Sequence, residues 1–296
     1  MSRRPLRIGL VASRLHREGG GATLERLLRP LEHAIARELR AELFVVGRTF
    51  AAIEDAGLLA GYAGLHRLPD RRDGGVMRLV AMLVDDDEHR RLDAVVYLLD
   101  PDDPTSLFPE GLALKRQCVV HGRPFVSTFA HAREWFELER VLAGFAPDPA
   151  ADDRFDAGTS AIALVAHDAR KHAMEDFARE HFALLSSFAQ RYATGTTGGR
   201  LNALAATLGA GDGWTERLKS GPLGGDAQLA GLVLDRRLPR VIFFEDPHVA
   251  RQHEADIQLL ERAARIATDA TTCINDPVAA ARWARGWNLR AAARLR

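Results

Sequence analysis

The sequence predicts an α/β protein made of two tandem Rossmann-like domains, each a three-layer fold with a mainly parallel sheet. Three observations predict it. The same strand-to-loop phrases occur twice, about 150 residues apart: IGLVASR answers IALVAHD, VVGRT answers ATGTT, DGGVMRLVAMLV answers GGDAQLAGLVL, and DAVVYLLDP answers PRVIFFEDP. Short apolar runs alternate with longer stretches whose apolar residues recur at helical spacing, the rhythm of repeated β–α units. Runs such as AVVYLL and VIFFE are apolar on both faces, as parallel strands covered by helices on each side must be.

Taken in order, residues 8–12, 43–46, 94–99 and 124–129 read as strands of the first half, with helices over 22–40, 77–84 and 133–143. The second half repeats the pattern with strands at 162–166, 192–194, 241–244 and 270–274. Between the halves, GFAPDPAADDRFDAGTS is rich in Pro, Asp, Gly and Ala and has little periodicity, which reads as a linker. The expected division is therefore a first domain over 1–145, a linker over 146–159 and a second domain over 160–296. A chain of 296 residues is long enough for each half to bury its own core.

Lys plus Arg balances Asp plus Glu at 40 each, so no overall field favours nucleic acid or an anionic membrane, and neither partner is expected. An anionic ligand must be attracted locally. Cys118 and Cys273 are isolated, without the spacing of a zinc site or a disulfide framework, and no metal site is expected. The opening MSRRPLRIGLVASR has an apolar run too short for a signal peptide or a span, so the expectation is a soluble, cytoplasmic protein.

Open α/β sheets bind ligands at the carboxyl ends of their strands, and four segments of the second half fall there. AHDARK puts His167 and Asp168 at a strand tip and Lys171 in the opening turn of the next helix. Strand-end polar residues also serve simply to hold loops. TGTTGG offers Thr194, Thr196 and Thr197 beside glycines at a helix start, where unpaired N–H groups and the helix dipole favour an anion. It lacks the spacing of a nucleotide P-loop, and a tight strand–helix turn accounts for it equally well. SGPLGGDAQ surrounds Asp226 with glycines after Ser220 and Gly221; Asp226 could serve only as a helix cap. EDPHVARQHEAD, after the strand VIFFE, carries His253 and Asp256.

The first copy acts as an internal control. His167 and Asp168 face Ser13 and Arg14, Lys171 faces Arg17, and Thr196 faces Arg48. Asp226 faces Val76, while His253 and Asp256 face Leu107 and Glu110. The shared Asp100-Pro101 and Asp246-Pro247 read as scaffold. What differs reads as chemistry, concentrated in the second half. Arg14, Arg17 and Arg48 leave open an anion site in the first half, although surface arginines explain them as well.

Taken together, AHDARK, YATGTTG, SGPLGGDAQ and FFEDP followed by His253 and Asp256 resemble the methylglyoxal synthase family in order and internal spacing, over roughly residues 161–283. The first half resembles a divergent copy lacking those motifs. The resemblance implies conversion of dihydroxyacetone phosphate to methylglyoxal and inorganic phosphate, with no metal or organic cofactor. By the same resemblance, Asp226 is the general base and His253 the electrophile and proton shuttle. Asp256, His167 and Asp168 orient and polarise, while Lys171, Thr194, Thr196, Thr197, Ser220 and Gly221 hold the phosphate. It also implies a homo-oligomer, inorganic phosphate as a product and inhibitor, and a basic C-terminal segment, for which Arg294 is the candidate by tail alignment. The alternative is a regulatory module that binds phosphate or a phosphorylated metabolite, a use to which the same fold is put elsewhere.

Overall fold

A computed structural model describes residues 4–19, 21–248 and 254–294. The chain forms two compact units, residues 1–147 and 148–296. Each contains a five-stranded, wholly parallel sheet.

In the first unit the strands are β1 (Arg7–Ala12), β2 (Glu42–Val46), β3 (Leu65–Leu68), β4 (Ala94–Leu98) and β5 (Phe125–Val126), in spatial order β3-β2-β1-β4-β5. Its helices are α1 (Arg14–Arg17), α2 (Thr23–His33), α3 (Gly47–Asp55), α4 (Gly75–Leu83), α5 (Pro109–Val120) and α6 (Phe129–Leu142). Alternate residues of a strand point to opposite faces, and the core divides accordingly. Ile8, Leu10 and Ala12 pack with α2, α3 and α6 residues such as Leu27, Ile53 and Phe136. Val11 and Val95 pack with Leu79, Leu83 and Leu114 of α4 and α5. That is the three-layer arrangement the two-faced apolar runs predicted.

The second unit repeats the topology. Its strands are β6 (Ala161–Ala166), β7 (Gln190–Ala193), β8 (Glu216–Arg217), β9 (Arg240–Phe244) and β10 (Thr272–Ile274), in order β10-β9-β6-β7-β8. Its helices are α7 (Lys171–Glu180), α8 (Phe182–Ser187), α9 (Gly195–Thr207), α10 (Gly225–Leu234), α11 (Glu254–Ile266) and α12 (Pro277–Arg294). Ala161, Ala163 and Val165 face Leu229, Val233 and Leu260 of α10 and α11.

Several local differences from the sequence reading have physical causes. The strand expected over 124–129 ends at Val126, because Thr128 accepts the His131 N–H at 3.1 Å and caps α6, which therefore starts at Phe129 rather than near 133. The helix expected over 22–40 is α2 followed by a π-helical turn, Ala34–Glu38. Residues 148–159, read as linker, form two 3₁₀ segments tied to the second unit. Buried Arg290 donates to the Asp148 carbonyl at 2.8 Å and to Asp152 at 2.7 Å, and Phe155 lies 4.8 Å from Trp287. Among the described residues no helix is long and apolar enough to cross a membrane.

Candidate active site

The carboxyl ends of β6, β7 and β9 meet in a cavity of about 70 Å³. It is lined by His167, Asp168, Lys171, Thr194, Thr196, Thr197, Ser220, Gly221 and Asp226, closed by Val165, Ala166, Pro222 and Phe243. Residues singled out by the sequence in three separate segments thus share one cavity. His253 lies outside the described residues; the backbone of Asp256 lies in α11, and its side chain is not among those described.

β6 delivers His167. Its N–H donates to the Phe244 carbonyl at 3.1 Å, as Ser13 N–H does to Leu98 in the first unit at 2.9 Å, so this position is set by scaffold common to both copies. The imidazole is buried edge-on to Phe243, with ring centroids 4.8 Å apart. Its Nδ1 accepts the Asp246 N–H at 2.8 Å. An accepting Nδ1 is unprotonated, which leaves the proton of the neutral ring on Nε2. Asp246-Pro247, read as scaffold from sequence, therefore fixes a tautomer through its backbone, a contact no sequence pattern signals.

Two helix starts converge on the same space. Gly195 opens α9, and a Cβ there would fall 2.7 Å from Ser220 Cα; Gly225 opens α10, where a Cβ would fall 2.1 Å from the Lys219 carbonyl oxygen. Both glycines are required by close backbone approach. First-turn amides such as those of Thr196 and Thr197 have no carbonyl within their helix to meet. The Thr197 hydroxyl is buried and has no hydrogen-bond partner among the described residues, although it lines the cavity. A buried unpartnered donor beside a helix N-terminus suits an anionic oxygen.

Lys171 supplies the cation among the cavity's lining residues. Its Nζ donates to Thr196 Oγ1 at 2.6 Å and lies 2.5 Å from Asp168 Oδ1. The lysine side chain is 13% exposed and the aspartate 91%, so the pair is half in water and weakly held. Behind it, Arg200 of α9 grips Glu175 of α7 through two bonds of 2.8 and 2.6 Å, holding that carboxyl below its usual pKa and linking the two helices that carry Lys171 and Thr196. Arg294 is elsewhere: it pairs with Asp152 at 2.8 Å and does not line the cavity.

Asp226 is 3% exposed in the first turn of α10, and its Oδ2 would lie 2.9 Å from any Cβ added at Gly221. The helix enters through Gly224 at φ 96°, so the carboxylate is placed by a turn that also exists in the first unit, where Gly74 has φ 83° and Val76 is fully buried. The scaffold begins this helix without an aspartate.

The first unit also fills its equivalent cradle with its own groups. A Cβ at Gly47 would fall 1.7 Å from an Asp70 carboxylate oxygen, so Asp70, where the second unit has Ser220, sits against the start of α3. The Thr49 hydroxyl receives the Ala12 N–H at 3.0 Å, and Arg17 donates to the Ala12 carbonyl at 3.1 Å. Glu110 pairs with Arg71 at 3.0 Å. Among the described residues no cluster of His, Cys, Asp and Glu could hold a metal.

Known proteins resemble this chain. A methylglyoxal synthase of Agrobacterium fabrum is 44% identical over 109 residues, covering 37% of this chain and 81% of the relative. A methylglyoxal synthase of Thermus thermophilus is 39% identical over 106 residues, 36% of this chain and 79% of the relative. A crystal structure of methylglyoxal synthase from Elizabethkingia anophelis NUHP1 matches at 34% identity and a TM-score of 0.34, over 42% of this chain and 75% of that one. No protein-family model matches the sequence.

Proposed function

The chain belongs to the methylglyoxal synthase family, and on that premise we propose that its second unit converts dihydroxyacetone phosphate to methylglyoxal and inorganic phosphate. The observation that carries the reading is the convergence of a buried carboxylate, an oriented imidazole and a hydroxyl-rich cradle with one lysine in a single cavity.

Asp226 takes a proton from the hydroxymethyl carbon beside the ketone, and the C–H electrons pass to the carbonyl oxygen as an enediolate. Such a step needs the base within reach and the oxyanion stabilised. His167, with its proton on Nε2, is a donor for that oxygen. His253, by family resemblance, moves a proton from the terminal enediol oxygen to the inner one. Electrons of the terminal oxygen then form an aldehyde, the double bond shifts, and the C–O bond to phosphate breaks. The released enol, 2-hydroxypropenal, tautomerises to methylglyoxal.

Elimination requires the breaking C–O bond to stand out of the enediolate plane, whereas an isomerase must keep it in that plane. Lys171, Thr194, Thr196, Thr197, Ser220 and Gly221 hold the phosphate and so set that angle. Asp168 and Asp256 orient these groups. No residue in this scheme calls for a metal or organic cofactor. The fitting test replaces Asp226 with Asn, which keeps shape and removes the base. Turnover should fall by about 10³-fold or more while a phosphorylated substrate analogue still binds; near-normal turnover would remove Asp226 from the mechanism.

A further inference from the structure

The amino ends of β6, β7 and β9 open onto a second cleft of about 590 Å³, at the opposite pole of the second unit's sheet from the catalytic cavity. Its walls hold four arginines, Arg154, Arg236, Arg237 and Arg240, and two carboxylates, Asp153 and Asp156. Asp156 is engaged locally, accepting the Gly158 N–H and the Thr159 hydroxyl, each at 3.0 Å. Arg240 is 3% exposed, donates to the Ser160 hydroxyl at 2.9 Å and to the Arg154 carbonyl, and stacks 4.5 Å from the Trp287 ring centroid. It is a fixed positive element of the wall.

Arg236 and Arg237 differ from it. Both are exposed, and neither guanidinium is engaged by a partner among the described residues. They end α10 in a Schellman turn, with Arg236 N–H to the Val233 carbonyl at 3.0 Å and Arg237 N–H to the Leu232 carbonyl at 2.9 Å. Arg236 occupies the left-handed position of that turn, at φ 58°, where glycine is unstrained and a side chain is not. The chain thus keeps a strained arginine whose guanidinium makes no hydrogen bond or ion pair among the described residues. Strain of this kind concentrates where a side chain has a task.

The first unit again supplies the control. Arg90-Arg91-Leu92 precedes β4 as Arg236-Arg237-Leu238 precedes β9, but Arg90 is paired with Asp85 at 3.2 Å and Asp87 at 3.4 Å. Ala94, paired with Ile8, stands where Arg240, paired with Ile162, stands in the second sheet. The fold does not require the open cations.

We propose that this cleft is a second ligand site, which binds a small phosphorylated metabolite carrying two or more negative charges. Arg236, Arg237 and Arg154 take the anionic groups, and Thr159, Ser160 and Gln190 offer hydrogen bonds to its remaining polar atoms. Its volume is that of an ordinary metabolite pocket and well above that of the catalytic cavity.

The test uses the full chain and titrates inorganic tripolyphosphate and inorganic phosphate calorimetrically at fixed salt. Wild type binds tripolyphosphate, and K171A retains that binding while losing affinity for inorganic phosphate. R236A/R237A weakens tripolyphosphate roughly tenfold or more and leaves inorganic phosphate unchanged. R236G separates binding from folding: relief of the left-handed strain raises Tm while tripolyphosphate affinity falls. Three results would overturn the proposal: no heat with millimolar tripolyphosphate, wild-type affinity in R236A/R237A, or loss of both probes in K171A, which would leave only the catalytic cavity.

Discussion

Asp276 follows β10 at the entrance to α12 and is 2% exposed. Burial raises its carboxyl from 3.8 to about 6, opposed only in part by the N–H groups of Ala279, at 2.8 Å from Oδ1, and Val278. A displacement of that size corresponds to about 3 kcal/mol between the protonated and ionised forms. The sign follows from the folded value lying above the unfolded one. The favourable contribution is fully present below about 3.8 and is lost as pH rises through about 6, so above neutrality the buried charge destabilises the fold. Asp276→Asn keeps an acceptor oxygen for the α12 amides and removes the charge. The variant should match wild type near pH 4 and exceed it by up to about 3 kcal/mol near pH 8. Urea unfolding of both proteins across that range gives the difference directly. A difference independent of pH, or an Asn variant less stable than wild type at pH 8, would refute the reasoning.

Other substitutions probe the cavity and its frame. Lys171→Ala should weaken inorganic phosphate by about 1.5 to 3 kcal/mol, the usual worth of a hydrogen bond to a charged group, as read by equilibrium titration. Gly225→Ala puts a Cβ 2.1 Å from the Lys219 carbonyl oxygen, so it should lower Tm and displace Asp226, reducing kcat more than phosphate affinity. Arg48→Ala, in the first unit, should leave inhibition of turnover by phosphate unchanged, because Asp70 already sits against the start of α3; a changed inhibition constant would revive an anion site there.

The duplication made much of the fold and cavity legible. Where the copies agree, as in the paired glycines before Val76 and Asp226, the sequence marks backbone geometry; where they differ, at His167, Asp168, Lys171, Thr196 and Asp226, it marks residues that line one cavity. The edge strands β3 and β8 escaped the reading because LHRL and ER carry too few apolar residues for a periodic signal. The Asp246 amide on His167 was equally hidden, since a backbone donor has no side-chain signature. Arg236 carries no signal in one dimension, where a left-handed arginine looks like any surface charge. Asp276 gave no warning either, for nothing in the local pattern between β10 and α12 marks a carboxylate that the fold leaves only 2% exposed.

The central claim is tested most directly by following dihydroxyacetone phosphate with the purified chain by phosphorus NMR, together with a chemical assay for dicarbonyl. Inorganic phosphate and methylglyoxal should appear in equal amounts, and both should vanish in Asp226→Asn. An unconsumed substrate, or conversion to glyceraldehyde 3-phosphate without phosphate release, would contradict an eliminating enediolate in this cavity.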